Sequence, residues 1–372
     1  TWGMHQYTAD LAKRQQAAGA EVHLVTSRQA PLDRYGPGVK VHTPVATRDT
    51  GFSPSALRLD DLNRLRATIR SIEPDLAHFT GPHLWNPLLL DSLGRAGVPT
   101  VHTLHDLHPH TGTAYGRLLY LWNSWVRRRA DHLLVHGRCF EKELIGDGMD
   151  PSRVTCAPLT HLFVDDAQTL ALEKAPPDVR YEPWALFLGR LEAYKGLAVL
   201  VEAARHLDAG RLRVVIAGPG GLGRHVPGEI PSSVEVRDRL IGDQEAVDLF
   251  RRCGLLVLPY VEASQSALVA AAYCFSKPVI VTDTGALPEY VVAGHGNDAT
   301  GWIIPANDAR PLAKVLDSSL RDPERLLRMG RAGRKWYERQ RRSEGFTIQQ
   351  MVRMLAGSNV ALSPAGIAAS AS

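Results

Sequence analysis

The sequence has 372 residues, 44% of them hydrophobic and 22% charged, with a formal net charge of +4. At roughly 150 residues per domain, this is room for two water-soluble globular domains. The small positive balance suits an anionic small molecule or an acidic membrane surface and makes no case for a nucleic-acid partner, and no run reaches the roughly 18 unbroken apolar residues of a membrane span.

The chain opens at Thr1-Trp2-Gly3 directly into a helical pattern over 4–18. Apolar runs predict strands over 22–27 and 39–44, a helix over 57–72, and strands over 76–80, 100–105, 132–136 and 154–159. A Rossmann half opens on a strand that lies centrally in its sheet, so a further strand is expected upstream of Thr1. The stretch 165–183 is polar, carries Pro176, Pro177 and Pro183, and has no strong period, which reads as a linker. A second series follows, with strands over 184–189, 213–218, 234–240, 255–260, 279–282 and 301–305. Its helices are expected over 196–207, 246–252 and 312–320, then over 323–342 and 346–355. The Ala- and Ser-rich residues 356–372 read as a flexible tail. Strands that are continuously apolar and alternate with helices form parallel sheets covered on both faces. The expected domains are 1–165 and 184–342, joined by 166–183 and followed by 343–372.

Cys139, Cys156, Cys253 and Cys274 are scattered, without a CxxC pair. That spacing gives neither a zinc site nor a disulfide framework and fits small buried hydrophobes in a reducing cytoplasm.

Three strand-to-helix segments carry the chemistry. In Gly189-Arg190-Leu191-Glu192-Ala193-Tyr194-Lys195-Gly196, the Arg fork and the Lys point charge lie five residues apart on a loop that a parallel sheet turns toward its ligand crevice. They read either as a diphosphate clamp or as two solvated surface cations. In Pro259-Tyr260-Val261-Glu262-Ala263-Ser264-Gln265-Ser266, Ser264 is placed to cap the next helix, and Glu262 can accept hydrogen bonds from sugar hydroxyls. An ordinary capped turn is the other reading. In Asp283-Thr284-Gly285-Ala286-Leu287-Pro288-Glu289, a glycine turn leads into a helix start with Pro288 in its first turn. Plain turn chemistry accounts for most of these residues.

Taken together, GRLEAYKG, PYVEASQS and PVIVTDTGALPEYV resemble the donor-binding half of glycosyltransferase family 4, a family of retaining enzymes with the GT-B fold. GMHQYTADLAKRQQAAGAEVHLVT is similar to that family's first helix and second strand, and PTVHTLHDLHPH to its acceptor-side loop. The resemblance implies a GT-B architecture, two Rossmann-like, doubly wound parallel-sheet α/β domains facing a central cleft. It implies that Arg190 and Lys195 hold a donor diphosphate, that Glu262 contacts the donor sugar, and that His105 faces the donor sugar or the acceptor. Donor contacts are further implied for Gly3, Gly189, Gly218, Ser264, Gln265, Ser266 and Glu289. One position departs from the family. The second Glu, which holds the ribose eight residues after the first, is here Ala270. Weak nucleotide binding is therefore expected, and Ala270→Glu is expected to tighten it.

Gly218-Pro219-Gly220-Gly221-Leu222-Gly223 has the look of a dinucleotide fingerprint. It lies mid-domain and contains Pro219, so it reads as a flexible loop near the nucleotide. His102, His105, His108 and His110 lack the spacing of a helical metal pair and read as a polar rim. The expected activity is metal-independent transfer, with retention, from a nucleotide-diphosphate sugar to an acceptor hydroxyl on a glycan, glycolipid or small molecule. No cofactor is expected, since the nucleotide sugar is a substrate. A GT-B phosphorylase or epimerase is a near variant. The rivals are a non-catalytic GT-B partner protein and a metal-dependent hydrolase using the histidines. The expected location is the cytoplasm. The stretch YGRLLYLWNSWVRRR reads either as a helix packed in the first domain or as a contact with the inner face of the membrane, with Leu118, Leu119, Trp122 and Trp125 beside Arg117 and Arg127–Arg129.

Overall fold

The structure, a computed structural model, describes residues 2–46, 58–108, 116–176, 181–208 and 211–357. Among these the chain runs α1 (Trp2–Ala17), β1 (His23–Ser27), β2 (Lys40–Val45), α2 (Leu59–Ile72), β3 (Ala77–Phe79), α3 (Asn86–Arg95), β4 (Thr100–Thr103), α4 (Gly116–Arg129), β5 (His132–Val135), α5 (Arg138–Gly146) and β6 (Val154–Cys156). It continues α6 (Asp166–Lys174), β7 (Trp184–Leu188), α7 (Leu197–Ala204), β8 (Arg213–Ala217), β9 (Val234–Arg237), α8 (Asp243–Arg252), β10 (Leu255–Leu258), α9 (Ala267–Cys274), β11 (Val279–Thr282), β12 (Gly301–Ile304), α10 (Ala309–Leu320) and α11 (Pro323–Ala356). Each strand expected between 22 and 305 is present, most of them ending one to three residues earlier, where the chain turns into a loop.

The chain divides into two compact units. One takes in the described residues up to His161 and from Arg342 onward, and the other Leu162–Arg341. In the first unit β1 pairs with β2 and β3 to β6 form a second sheet, all in parallel. In the second unit one six-stranded parallel sheet has the order β12-β11-β10-β7-β8-β9. Its central strands WALFL, LLVL and VIVT are buried along their whole length, as expected for strands with helices on both faces. Helix α8 turns Ala246, Val247, Leu249 and Phe250 inward. Its acidic first turn and basic last turn complement the helix dipole.

Two segments differ from expectation. Within 166–183, residues 166–174 form a helix. Asp165 caps its start by accepting from Gln168 N at 2.8 Å, and the buried Arg334 donates to the Leu172 carbonyl at 3.1 Å and to the Glu173 carbonyl. The two final helices are one, Pro323–Ala356. Gly345 costs a helix interior about 1 kcal/mol, but its neighbour Glu344 is buried, bonded by Thr160 Oγ1 and paired with Arg14 at 3.3 Å. That tertiary anchoring holds the helix through the glycine.

Candidate active site

The sheet order of the second unit reverses between β7 and β10, with successive strands running outward from these two in opposite directions. In a doubly wound sheet, ligands bind at this switch point, beyond the C-terminal ends of the strands. The loops that leave β7 and β10 carry Gly189–Gly196 and Pro259–Ser266. Hydrogen bonds join them, with Val261 N and Glu262 N reaching the Tyr194 carbonyl at 2.8 and 3.3 Å. The loop after β11 ties onto the second. Thr282 Oγ1 donates to the Tyr260 carbonyl at 2.6 Å, and Ala286 N to the Ser264 carbonyl at 3.0 Å. The three segments singled out in the sequence thus form one rim.

Glycines allow this close approach. Gly196 has φ +67°, and a Cβ there would lie 1.8 Å from the Pro259 carbonyl oxygen. Gly285 has φ +53°, with the Ala263 carbonyl oxygen 1.8 Å from the same imagined atom. Neither site admits a side chain without moving backbone.

The two cations of the first loop differ. Arg190 is exposed and pairs with Glu192 at 2.6 Å. Lys195 is buried at 9% exposure, and its Nζ makes no hydrogen bond or ion pair among the described residues. It lies over two rings instead, 5.8 Å from the centroid of Tyr194 and 5.5 Å from that of Tyr260. Burial, with the nearby Arg190 guanidinium, pulls its pKa from 10.5 to about 8, while Glu192 acts in the other direction.

In the second loop Ser266, not Ser264, caps α9. Its Oγ accepts from Leu268 N at 3.4 Å. Both serines are buried, whereas Glu262 and Gln265 are partly exposed. In the third segment residues Leu287–Tyr290 form a short 3-10 turn, with Glu289 exposed. Ala270 has no exposed surface. A carboxylate introduced by Ala270→Glu therefore starts from a buried position, and left without a partner there it would cost several kcal/mol.

The glycine loop after β8 is tied down by close backbone approach and hydrogen bonds. Gly218 lies so near the end of β7 that a Cβ on it would sit 2.0 Å from the Gly189 carbonyl oxygen. The amides of Gly220, Gly221 and Leu222 all donate to the Asp238 carboxylate, at 3.2, 3.0 and 2.7 Å. These donors hold that carboxyl below its ordinary pKa. The loop thus has its own internal anion.

In the first unit His105 follows β4. Its Nε2–H donates to the Thr80 carbonyl at 3.0 Å, and its ring meets Tyr7 edge-on at 4.8 Å. Burial holds its pKa below the usual value. Because Nε2–H is the donor to that carbonyl, Nδ1 is the acceptor nitrogen of the neutral ring. His102 is buried against Asn86, and exposed His108 pairs with Glu143 at 2.8 Å. His110 lies outside the described residues. No three His, Cys, Asp or Glu converge as metal ligands among the described residues, so the hydrolase reading finds no support. Gly3 sits in the first turn of α1 with open space around it. In α4, Trp122 is buried and donates to the His83 carbonyl at 2.9 Å, so it does not belong to an outer face. The side chains of Arg117, Leu118 and Leu119 lie outside the described set.

Sequence reasoning missed Tyr194, Tyr260 and Asp238. Both tyrosines stand inside the motifs, but nothing in their spacing shows two rings meeting one ammonium.

Residues 3–160 match the Glycosyl transferase 4-like domain, and residues 173–336 match Glycosyl transferases group 1. The D-inositol 3-phosphate glycosyltransferase of Kineococcus radiotolerans is 28% identical over 384 residues, covering 90% of this chain and 86% of its own. The sucrose-phosphate synthase of Thermosynechococcus elongatus has the same fold, with a TM-score of 0.72 at 19% identity over 94% of this chain and 92% of its own. Anabaena HepE in complex with UDP-glucose superposes with a TM-score of 0.67 at 16% identity, over 95% and 96% of the two chains.

Proposed function

Because the chain belongs to the group 1 glycosyltransferases, and is thus a hexosyltransferase-type enzyme of GT-B fold that draws on nucleotide-sugar donors, we propose that it transfers the sugar with retention, without a divalent metal, to an acceptor hydroxyl. The observation that carries this reading is Lys195, a buried ammonium at the switch point that makes no ion pair among the described residues. A sugar–diphosphate bond breaks with positive charge growing on the sugar and negative charge on the leaving diphosphate. A fixed cation in a dry site stabilises that negative charge with no reorganisation at the moment of reaction. Lys195 and Arg190 take this role in place of a metal. The N-terminus of α9, with Ser264, Gln265 and Ser266, adds amide donors to phosphate or sugar oxygens. Glu262 accepts from sugar hydroxyls. Gly189, Gly218, Glu289 and Gly3 complete the donor contacts, and His105 offers Nδ1 to a sugar or acceptor hydroxyl. The acceptor oxygen attacks from the face the diphosphate leaves.

UDP-glucose, the ligand in the HepE complex, is the first donor to try. The phosphorylated polyol in the name of the Kineococcus enzyme is the first acceptor, beside glycans and glycolipids. Retained anomeric configuration by NMR and an unchanged rate in EDTA are expected. An inverted product, or a rate restored only by added metal, overturns the reading.

The same proposal has the enzyme work in the cytoplasm and touch the inner leaflet through α4. Among its described side chains Tyr120, Leu121 and Trp125 are exposed apolar residues, and Arg128 is exposed beside them. Arg127 and Arg129 are engaged with Asp147 and Asp91. Among the described residues no helix is long and apolar enough to cross a membrane. Stronger co-sedimentation with anionic than with neutral vesicles is expected, and equal binding to both removes this contact.

A further inference from the structure

We propose that Tyr194 and Tyr260 are positioning residues for Lys195, their ring faces holding its ammonium at the switch point without a carboxylate partner. The proposal rests on the reading of Lys195 as the diphosphate clamp and adds the means by which the cation is kept in place. A buried ammonium needs a partner, and a lysine stem with four rotatable bonds would otherwise turn toward Glu192, already paired with Arg190 at 2.6 Å. The negative faces of two aromatic rings attract a cation without neutralising it. A carboxylate here would compete with the diphosphate, whereas two rings leave the positive charge available.

Both rings are fixed from elsewhere. The Tyr260 side chain is buried and hydrogen-bonded to Ser266, the cap of α9. The Tyr194 hydroxyl bonds Glu192. The two rings meet edge to face, with centroids 6.3 Å apart. The chain of contacts therefore runs from Arg190 through Glu192 and Tyr194 to Lys195, then through Tyr260 to the start of α9. It brings both expected phosphate-binding features into one register. The charged groups acting on Lys195 are Arg190 and Glu192.

The test is titration of inorganic pyrophosphate, which needs no base or sugar subsite, into the full chain from pH 6 to pH 10. Wild type, Tyr260→Phe, Tyr260→Leu, Tyr194→Leu and Lys195→Ala are compared at each pH. Tyr260→Phe loses the Ser266 bond but keeps the ring, which burial still holds in place, and is expected to follow wild type, losing affinity as Lys195 deprotonates. The Leu variants keep an apolar side chain without the π face. They are expected to bind about threefold to thirtyfold more weakly, with the loss at high pH moved down by about 0.5–1.5 pH units. Leu variants that match wild type, a fall-off moved upward, or a Phe variant that behaves like Leu overturns the proposal. Tyr194→Leu, at a partly exposed position, carries the test if Tyr260→Leu does not fold. Lys195→Ala separates the two levels. Wild-type affinity in that variant defeats the clamp itself, whereas lost affinity there with unaffected Leu variants defeats only the rings.

Discussion

Replacing Lys195 with Met should make the unliganded protein more stable and the enzyme inactive. Burial lowers the lysine pKa from 10.5 to about 8. At 1.36 kcal/mol per unit, keeping the charge costs on the order of 3 kcal/mol. Two ring faces at 5.5 and 5.8 Å return part of this, about 1–2 kcal/mol. Methionine keeps the length and apolar stem of the side chain, so repacking costs little. A net gain of about 1–2 kcal/mol, or several degrees in the unfolding midpoint, is expected. The sign with pH follows from linkage. The unfolded chain binds this proton more tightly than the folded one, so the penalty is full below pH 8 and is relieved as pH rises toward 10.5. The advantage of Lys195→Met should therefore be largest near pH 7 and fade above pH 8. Urea unfolding of both proteins at pH 7 and pH 10, beside an assay of nucleoside diphosphate release, measures it. A Met variant that is less stable at pH 7, or a stability difference that does not change with pH, refutes the argument that this cation is buried for function at a cost to the fold.

Gly196→Ala should lower turnover about a hundredfold while the circular dichroism spectrum stays that of wild type. The left-handed backbone costs about 1–2 kcal/mol, and a Cβ 1.8 Å from the Pro259 carbonyl must displace the Lys195 loop by about 1 Å, a misplacement of the size that costs this much rate. Arg190→Ala should lower turnover on the order of a hundredfold with no change in melting, because its exposed ion pair adds little stability; full activity removes Arg190 from the clamp. Gly3→Ala meets open space and should stabilise α1 by about 0.5–1 kcal/mol, while a donor KM equal to wild type would take Gly3 out of the donor contacts.

The strands of the second unit's centre were legible because each is a short apolar run, such as WALFL, LLVL or VIVT, closed by Gly, Pro or a polar residue. The three rim segments were legible because they follow strands and carry charge or caps. What escaped depends on partners distant in sequence. Helix α6 is held by Arg334, more than 150 residues away, and α11 continues through Gly345 because Glu344 is anchored on Thr160 and Arg14. The glycine loop looked like an open anion site, and only the fold shows Asp238 already filling it. The lowered pKa of His105 and the ring contacts of Lys195 likewise arise from burial, which local spacing does not encode.

The central claim is that this chain breaks a sugar–nucleotide bond by means of the cation at its switch point. The most direct measurement is nucleoside diphosphate release from a panel of nucleotide sugars, UDP-glucose first, by wild type and Lys195→Met in EDTA with candidate acceptors present. The account predicts turnover of at least one donor by wild type and a rate on the order of a hundredfold lower, or less, for the variant. Equal turnover by the two proteins, or none by wild type with any donor, would contradict it.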